Sequence, residues 1–220
     1  EFPHTTHKPT PGMAAYENIQ FQLVDTPPIT EEYVDPLMPD MIRRADIVVI
    51  LLDVKADLIG QYEDTLATLA TYRIFPEGTM VPENVKQPHF FKKMLVAVNK
   101  VDEGKDEEDF ETFIELSEVQ SPSLGISIYK EKNIREFLVA LYNLSGIIRV
   151  YSKNPGKDAD MNEPFVIPRN STLEEMAIKI HKDFARKLKF ARIWGEAVHD
   201  GQMVQRDYVM HDGDIVEIHI

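Results

Sequence analysis

The sequence predicts two units: an α/β unit with a parallel sheet over residues 1–146, and a small α+β unit of the ubiquitin-like, β-grasp kind over residues 147–220. Three observations carry this expectation. Short apolar runs alternate with helix-like segments in the first part. After Ser145-Gly146 the order becomes strand, strand, helix, then strands. The charge also changes there: residues 1–146 carry 13 Lys+Arg against 25 Asp+Glu, whereas residues 147–220 carry 11 against 12. A shift of that size marks units with different partners.

In the first unit "QFQLVD", "ADIVVILLD", "KKMLVAVNK" and "LGISIY" each stop at polar or turn residues. Runs this continuous suit strands buried on both faces of a parallel sheet. Helix-like spacing falls near residues 36–44, 60–73, 107–118 and 132–144, the last with Ile134, Phe137, Leu138, Leu141 and Tyr142 on one side. Alternating strands and helices imply right-handed crossovers. Residues 74–92 hold three prolines and are expected to form an inserted loop. In the second unit "IIRVYSK", "EPFVIPR", "FARIWG" and "DIVEIHI" are strand-like, around a single helix expected at about 172–188. Its stripe is Leu173, Met176, Ile180 and Phe184, and Ser171 or Thr172 ahead of Glu174 and Glu175 supplies a cap.

The 220 residues are 43% hydrophobic and 28% charged, enough for real cores. There is no cysteine, which excludes disulfides and thiolate metal sites and fits a reducing cytosol. The longest apolar run, "IVVILL", falls well short of the ~18 residues of a membrane helix, and no signal peptide is visible, so a cytoplasmic location is expected. A net charge of −12 on the first unit argues against general nucleic-acid binding there.

In open parallel sheets, ligands sit beyond the carboxyl ends of the strands. The polar residues at those ends are Asp25, Asp53, the tetrapeptide Asn99-Lys100-Val101-Asp102, and Ser127. Asn-Lys-x-Asp leaving a buried strand is the guanine-reading motif of GTPases. Its aspartate accepts from the base N1–H and exocyclic amine, its lysine stem covers the ring, and its asparagine ties neighbouring loops. The intact "NKVD" disfavours an ATP-using protein. Asp25-Thr26-Pro27-Pro28 stands where GTPases place Asp-x-x-Gly, but Pro28 has no N–H to offer a γ-phosphate.

With "FPHTT", "DTPP", "VNKVD" and "GISIY" in this order, the chain resembles the Obg-related GTPases. The tail "IIRVYSKNPGKDADMNEPFVIPRNST…HKDF…FARIWG…HDGDIVEI" resembles the TGS domain of their developmentally regulated GTP-binding (DRG) branch. The resemblance implies a P-loop GTPase-type sheet followed by a TGS domain. It implies GTP or GDP as ligand at Asn99, Lys100, Asp102 and Ser127, and Mg²⁺ at Thr6 and Asp25. It also implies a ribosomal, RNA or protein partner. No Gly-x4-Gly-Lys-Ser/Thr occurs in these residues, so the phosphate loop and the N-terminal part of the sheet are expected upstream of Glu1. No catalytic residue is nominated, and Glu31 and Glu32 read as surface acids. The alternative is a non-hydrolysing scaffold whose TGS domain docks onto RNA or protein.

Lys179, Lys182 and Arg186, spaced along one expected helix, with Lys187, Lys189 and Arg192 following, form a patch that suits RNA phosphates or a solvated face equally. Tyr151, Phe190 and Trp194 are expected in the core rather than stacked on bases. His211, Asp212, Asp214 and His219 read as turn chemistry rather than a metal site.

Overall fold

The computed structural model describes residues 8–27, 37–81 and 83–220. It divides into two compact units. One holds Gln22–Ser145 together with the residues before Ala15; the other holds Ala15–Phe21 together with Gly146–Ile220.

β1 (Thr10–Tyr16) and β2 (Ile19–Asp25) form a two-stranded sheet. α1 (Met38–Arg44) carries Pro39 in its first turn, where a missing N–H leaves no helical bond unmade. The parallel sheet is built on β5 (Phe90–Asn99), flanked by β3 (Ile47–Asp53) on one side. On its other side β4 (Ile74–Pro76) pairs with the start of β5, and β6 (Ser123–Gly125) with its end. Leu95 to Val98 are fully buried, so both faces of β5 are covered. Met94, Val96 and Val98 share one core cluster with Ile50 and Leu52 of β3, with Leu58, Tyr62 and Leu69 of α2 (Leu58–Thr71), and with Phe113 of α3 (Gly104–Leu116). α4 (Ile134–Ser145) also packs against β5 and β3.

Part of the expected loop at 74–92 is a strand. Ile74 and Phe75 bury, and β4 pairs in parallel with Phe90–Lys92. Pro76 is tolerated because β4 is an edge strand.

The second unit is a five-stranded sheet in the order β10-β9-β11-β7-β8, from β7 (Ile147–Ser152), β8 (Phe165–Pro168), β9 (Phe190–Trp194), β10 (Gln202–Val204) and β11 (Ile215–His219). β11 runs parallel to β7, and the other pairings are antiparallel. Residues 172–188 do not form one helix. α5 (Leu173–Ile180) ends at His181, whose backbone is extended (φ −168°, ψ 140°), and α6 (Lys182–Lys187) starts beyond it. His181 Nδ1 accepts from Asp183 N–H at 3.2 Å and so caps α6. The break turns Ala185 and Leu188 into the core and leaves Phe184 36% exposed, so the apolar stripe read through Phe184 does not continue. Thr172 is the cap of α5, in a reciprocal pair with Glu175.

Within this unit Asn18 Nδ2 donates to Tyr151 Oη at 2.6 Å and to the Met161 carbonyl at 3.0 Å. Arg149 pairs with both Glu17 and Asp212. The aromatic residues singled out in the sequence are engaged internally. Tyr151 is buried, Phe190 stacks on His219 at 4.5 Å, and Lys153 lies 4.0 Å over the Trp194 ring. His211, Asp212, Asp214 and His219 each have partners within this unit. His219 meets Glu217 at 2.8 Å, and Asp214 accepts from the His211 N–H at 2.9 Å and Tyr208 Oη at 3.2 Å.

Asp214 is fully buried, and burial pushes its carboxyl up against the lowering effect of those two bonds. Its Oδ1 lies against the Gly195 Cα, where a Cβ would overlap it. Gly195→Ala is therefore expected to destabilise this unit by about 1–3 kcal/mol through overpacking. Urea unfolding followed by Trp194, the single tryptophan and the neighbour of Gly195, measures it. An unchanged midpoint would show that Asp214 has room to move.

Candidate nucleotide site

The β3–β5 register ends with Asp53 opposite Asn99, and Gly125 pairs with Val98 one strand over. Three strand exits therefore meet at one edge of the sheet. A Cβ at Gly125 would lie 3.1 Å from Val101 Cγ2, a tighter contact than most side chains make, so glycine lets the two exits pack closely there. Val101 is 2% exposed and donates its N–H to the Ile126 carbonyl at 3.0 Å, which anchors the tetrapeptide into the core. Lys100 takes the left-handed conformation, φ +66°. Asp102 and Lys100 thus project from a tight turn pinned by a buried valine.

Ser127 is fully buried and donates from Oγ to Asp102 Oδ1 at 2.5 Å. The Ile128 N–H donates to Asn99 Oδ1 at 3.3 Å, and the Lys130 N–H to Ser127 Oγ at 2.9 Å. Ser127 and Lys132 exchange backbone bonds, closing a short loop that presents Tyr129, 89% exposed. The four residues read from the sequence as base-binding are therefore brought together. Asp25 ends β2 as an exposed residue. Thr6, Pro28, Glu31 and Glu32 lie outside the described residues.

The residues read as an RNA or partner patch do not share one helix face. Lys179 is on α5 and its Nζ donates to the Val166 carbonyl. Lys182, Arg186 and Lys187 are on α6 beyond the break, and Lys189 follows it. All five are exposed.

Sequence reasoning missed the charges that brace the tetrapeptide. Lys100 Nζ lies 2.6 Å from Asp53 Oδ2, and the Lys55 N–H donates to Asp53 Oδ1 at 2.9 Å. Burial raises the Asp53 carboxyl, but these bonds and the two ammonium charges outweigh it and hold it below its ordinary value. Asp106, 4% exposed, accepts from Lys55 Nζ at 2.5 Å and from the Asp102 and Glu103 N–H groups, each at 3.0 Å. Glu103 and Asp106 form the capping box of α3. Their spacing just after "NKVD" was the available signal.

A parallel sheet with Asn99-Lys100-Val101-Asp102 at its carboxyl edge, in a chain that also carries a five-stranded unit with one broken helix, defines an α/β protein of the GTPase fold type joined to a β-grasp domain. Residues 148–220 match the TGS domain family. The chain is 33% identical over 169 residues to a GTP-binding protein of Methanocaldococcus jannaschii, covering 71% of this chain and 43% of that protein. It is 29% identical over 126 residues to developmentally-regulated GTP-binding protein 1 of Xenopus laevis, covering 56% and 33% respectively. The chain thus matches less than half the length of these relatives. Among solved structures it superposes on a GTP-binding protein from Pyrococcus horikoshii with a TM-score of 0.60 and 16% identity, over 97% of this chain and 88% of that one. The YchF GTPase of Schizosaccharomyces pombe gives a TM-score of 0.54 and 12% identity, over 82% and 74%. These two likenesses speak for the fold. The chain is thus similar over most of its length to GTP-binding proteins, a developmentally-regulated one among them, and its residues 148–220 form a TGS domain.

The Lys55 ammonium, helped by the Glu103 and Asp102 N–H groups and against burial, holds the Asp106 carboxyl at about 2, below the ordinary 3.8. A depressed carboxyl means that the unfolded chain takes up its proton first. The stabilisation from Asp106 is complete above pH 3.8 and is lost as pH falls toward about 2. Urea unfolding across that window is expected to show a steeper loss of stability in the wild-type chain than in Asp106→Asn. Equal slopes would mean that Asp106 is not held in this way.

Proposed function

We propose that this chain binds guanine nucleotides at the carboxyl edge of its parallel sheet and that, with Mg²⁺, it takes part in GTP hydrolysis. The supporting observation is the joining of two strand exits: Ser127 Oγ on Asp102 Oδ1 at 2.5 Å and the Ile128 N–H on Asn99 Oδ1 at 3.3 Å. An ionised Asp102 accepts from the guanine N1–H and exocyclic amine. Adenine offers an acceptor at N1 and would leave the carboxylate unpaired. Bonds to a charged group contribute about 1.5–3 kcal/mol each, so losing two rejects adenine strongly. Lys100 supplies the stem that covers the ring, and Asn99 holds the neighbouring loop.

Mg²⁺ in phosphate sites keeps several waters and takes one or two carboxylates beside the phosphates. Exposed Asp25 at the end of β2 fits that need, with Thr6 as its partner by resemblance. Among the described residues no cluster of three or more His or acidic side chains offers a separate metal cage. The bound metal would offset phosphate charge; the chain's own part is to hold the base and position Asp25. The TGS domain is proposed to meet RNA or the ribosome through Lys182, Arg186, Lys187 and Lys189, whose charges are exposed. No described helix is long and apolar enough to cross a membrane.

Titration with labelled GDP and GTP, with ATP as competitor, tests the nucleotide reading: guanine nucleotides displace the label and ATP does not. Asp102→Asn exchanges an acceptor for a donor. It is expected to weaken GDP roughly 10–100-fold and to favour xanthosine diphosphate, which carries a carbonyl in place of the amine. A chain that binds ATP equally, or an Asp102→Asn variant with unchanged preference, would refute it. For the TGS domain, co-sedimentation with ribosomes should weaken in Lys182→Glu/Arg186→Glu and with added salt; binding indifferent to both would remove RNA phosphates as the partner.

A further inference from the structure

We infer that Lys55 is a positioning residue for guanine recognition, acting through Asp106 on Asp102. This inference rests on the guanine reading proposed above. Asp102 lies beyond the end of β5, outside the sheet's hydrogen bonding, so the aim of its carboxylate depends on how its backbone is held as well as on the Ser127 hydroxyl that donates to Oδ1 at 2.5 Å. Its N–H is fixed by two acceptors, the Lys100 carbonyl at 2.9 Å and Asp106 Oδ2 at 3.0 Å. Of these only Asp106 belongs to a rigid element, the first turn of α3.

Asp106 can do this only with its charge balanced. Its residue is 4% exposed and lies near a second carboxylate, Asp102. A buried carboxylate without a counter-charge gives up its charge or its position. Lys55 Nζ, at 2.5 Å from Asp106 Oδ1, is that counter-charge, and it also lies in the field of Asp102 and Glu103. The ammonium arrives from a different strand exit. Its backbone N–H is tied to Asp53 Oδ1 at 2.9 Å, and the Asp53 N–H is tied to Gln61 Oε1 of α2 at 3.0 Å. Asp53 Oδ2 meanwhile takes Lys100 Nζ at 2.6 Å. The β3 exit therefore grips the tetrapeptide twice, once at Lys100 directly and once at Asp102 through Asp106.

The geometry gives Lys55 an effect that a plain surface ion pair lacks. Asp102 reads the 2-amino group that separates guanine from hypoxanthine, so the GDP-over-IDP preference reports how well its carboxylate is aimed. The test is an NMR titration of the 220-residue chain with GDP and with IDP, up to millimolar concentration, for wild type, Lys55→Met and Lys55→Arg. The Lys55 side chain is 51% exposed, so replacement leaves the core intact, and the same spectra verify the fold. The expected result is that Lys55→Met lowers the GDP-over-IDP preference roughly fivefold or more, IDP losing the N1–H bond alone where GDP loses two, and that Lys55→Arg keeps most of the preference. If wild type prefers GDP and Lys55→Met prefers it equally, or weakens both nucleotides in proportion, the positioning role is overturned while the guanine reading stands. If wild type shows no preference for GDP, the guanine reading fails and this inference with it.

Discussion

The site depends on the register of β3 against β5. Seven consecutive parallel pairs, from Ile47 with Lys93 to Asp53 with Asn99, bring two polar side chains level where the apolar runs stop. Side chains alternate faces along a strand, so a slip of one residue would exchange the two faces of β5 and mismatch the packing on each. Leu95 to Val98 have no exposed surface, which makes such a slip costly on both faces at once. A register set by apolar packing thus fixes the Asp53–Asn99 pairing without any polar contact having to choose it. Lys100 then finds Asp53, and Lys55, two residues beyond Asp53, finds Asp106.

Charge is used here to join loops rather than to stabilise the fold outright. Exposed ion pairs contribute little by themselves, and Lys100 and Asp53 are both partly open to solvent. Asp106 differs because its carboxylate is buried and serves three donors at once, two of them backbone N–H groups at the start of α3. Removing any one donor leaves the others facing a charge with less compensation. In the second unit, Arg149 plays a comparable part for residues distant in sequence, holding Glu17 of the β1–β2 turn and Asp212 of the β10–β11 connection. Asn18 adds a neutral tie to Tyr151 beside it.

β3 and β5 were legible in the sequence as unbroken apolar runs, although Leu51 of β3 is exposed; "QFQLVD" was legible as a strand but not as what it is, the largely exposed β2 of the separate two-stranded sheet. β5 is the clearest, and "NKVD" was legible because all four residues are local to its exit. Lys55 was not, since nothing near it in sequence points to Asp106; that pairing exists only once β3 and β5 are in register. β1 escaped because it is largely exposed and contains Pro11 and Gly12, which weaken any strand pattern. β4 escaped because three prolines nearby dominated the reading, although Ile74 and Phe75 are buried. The break at His181 carries no glycine or proline. Its only trace in the sequence is that Ala185 and Leu188, rather than Phe184, continue the buried face.

Lys100 shows why the bracing matters for recognition. A left-handed backbone at a residue with a Cβ costs roughly 1–2 kcal/mol and persists only where neighbours over-determine it. Here the neighbours do so. Val101 is locked in the core and bonded to Ile126, the Asp102 N–H is held by Asp106, and the Lys100 ammonium is held by Asp53. A loop already ordered in this way has less conformational entropy to lose when a base arrives, which leaves more of the contact energy to distinguish one base from another. For the guanine reading proposed above, the strained turn and the two ion pairs form one device. Lys100 takes the left-handed turn, and Asp53 at the end of β3 and Asp106 in α3 hold the Lys100 ammonium and the Asp102 N–H on either side of Val101.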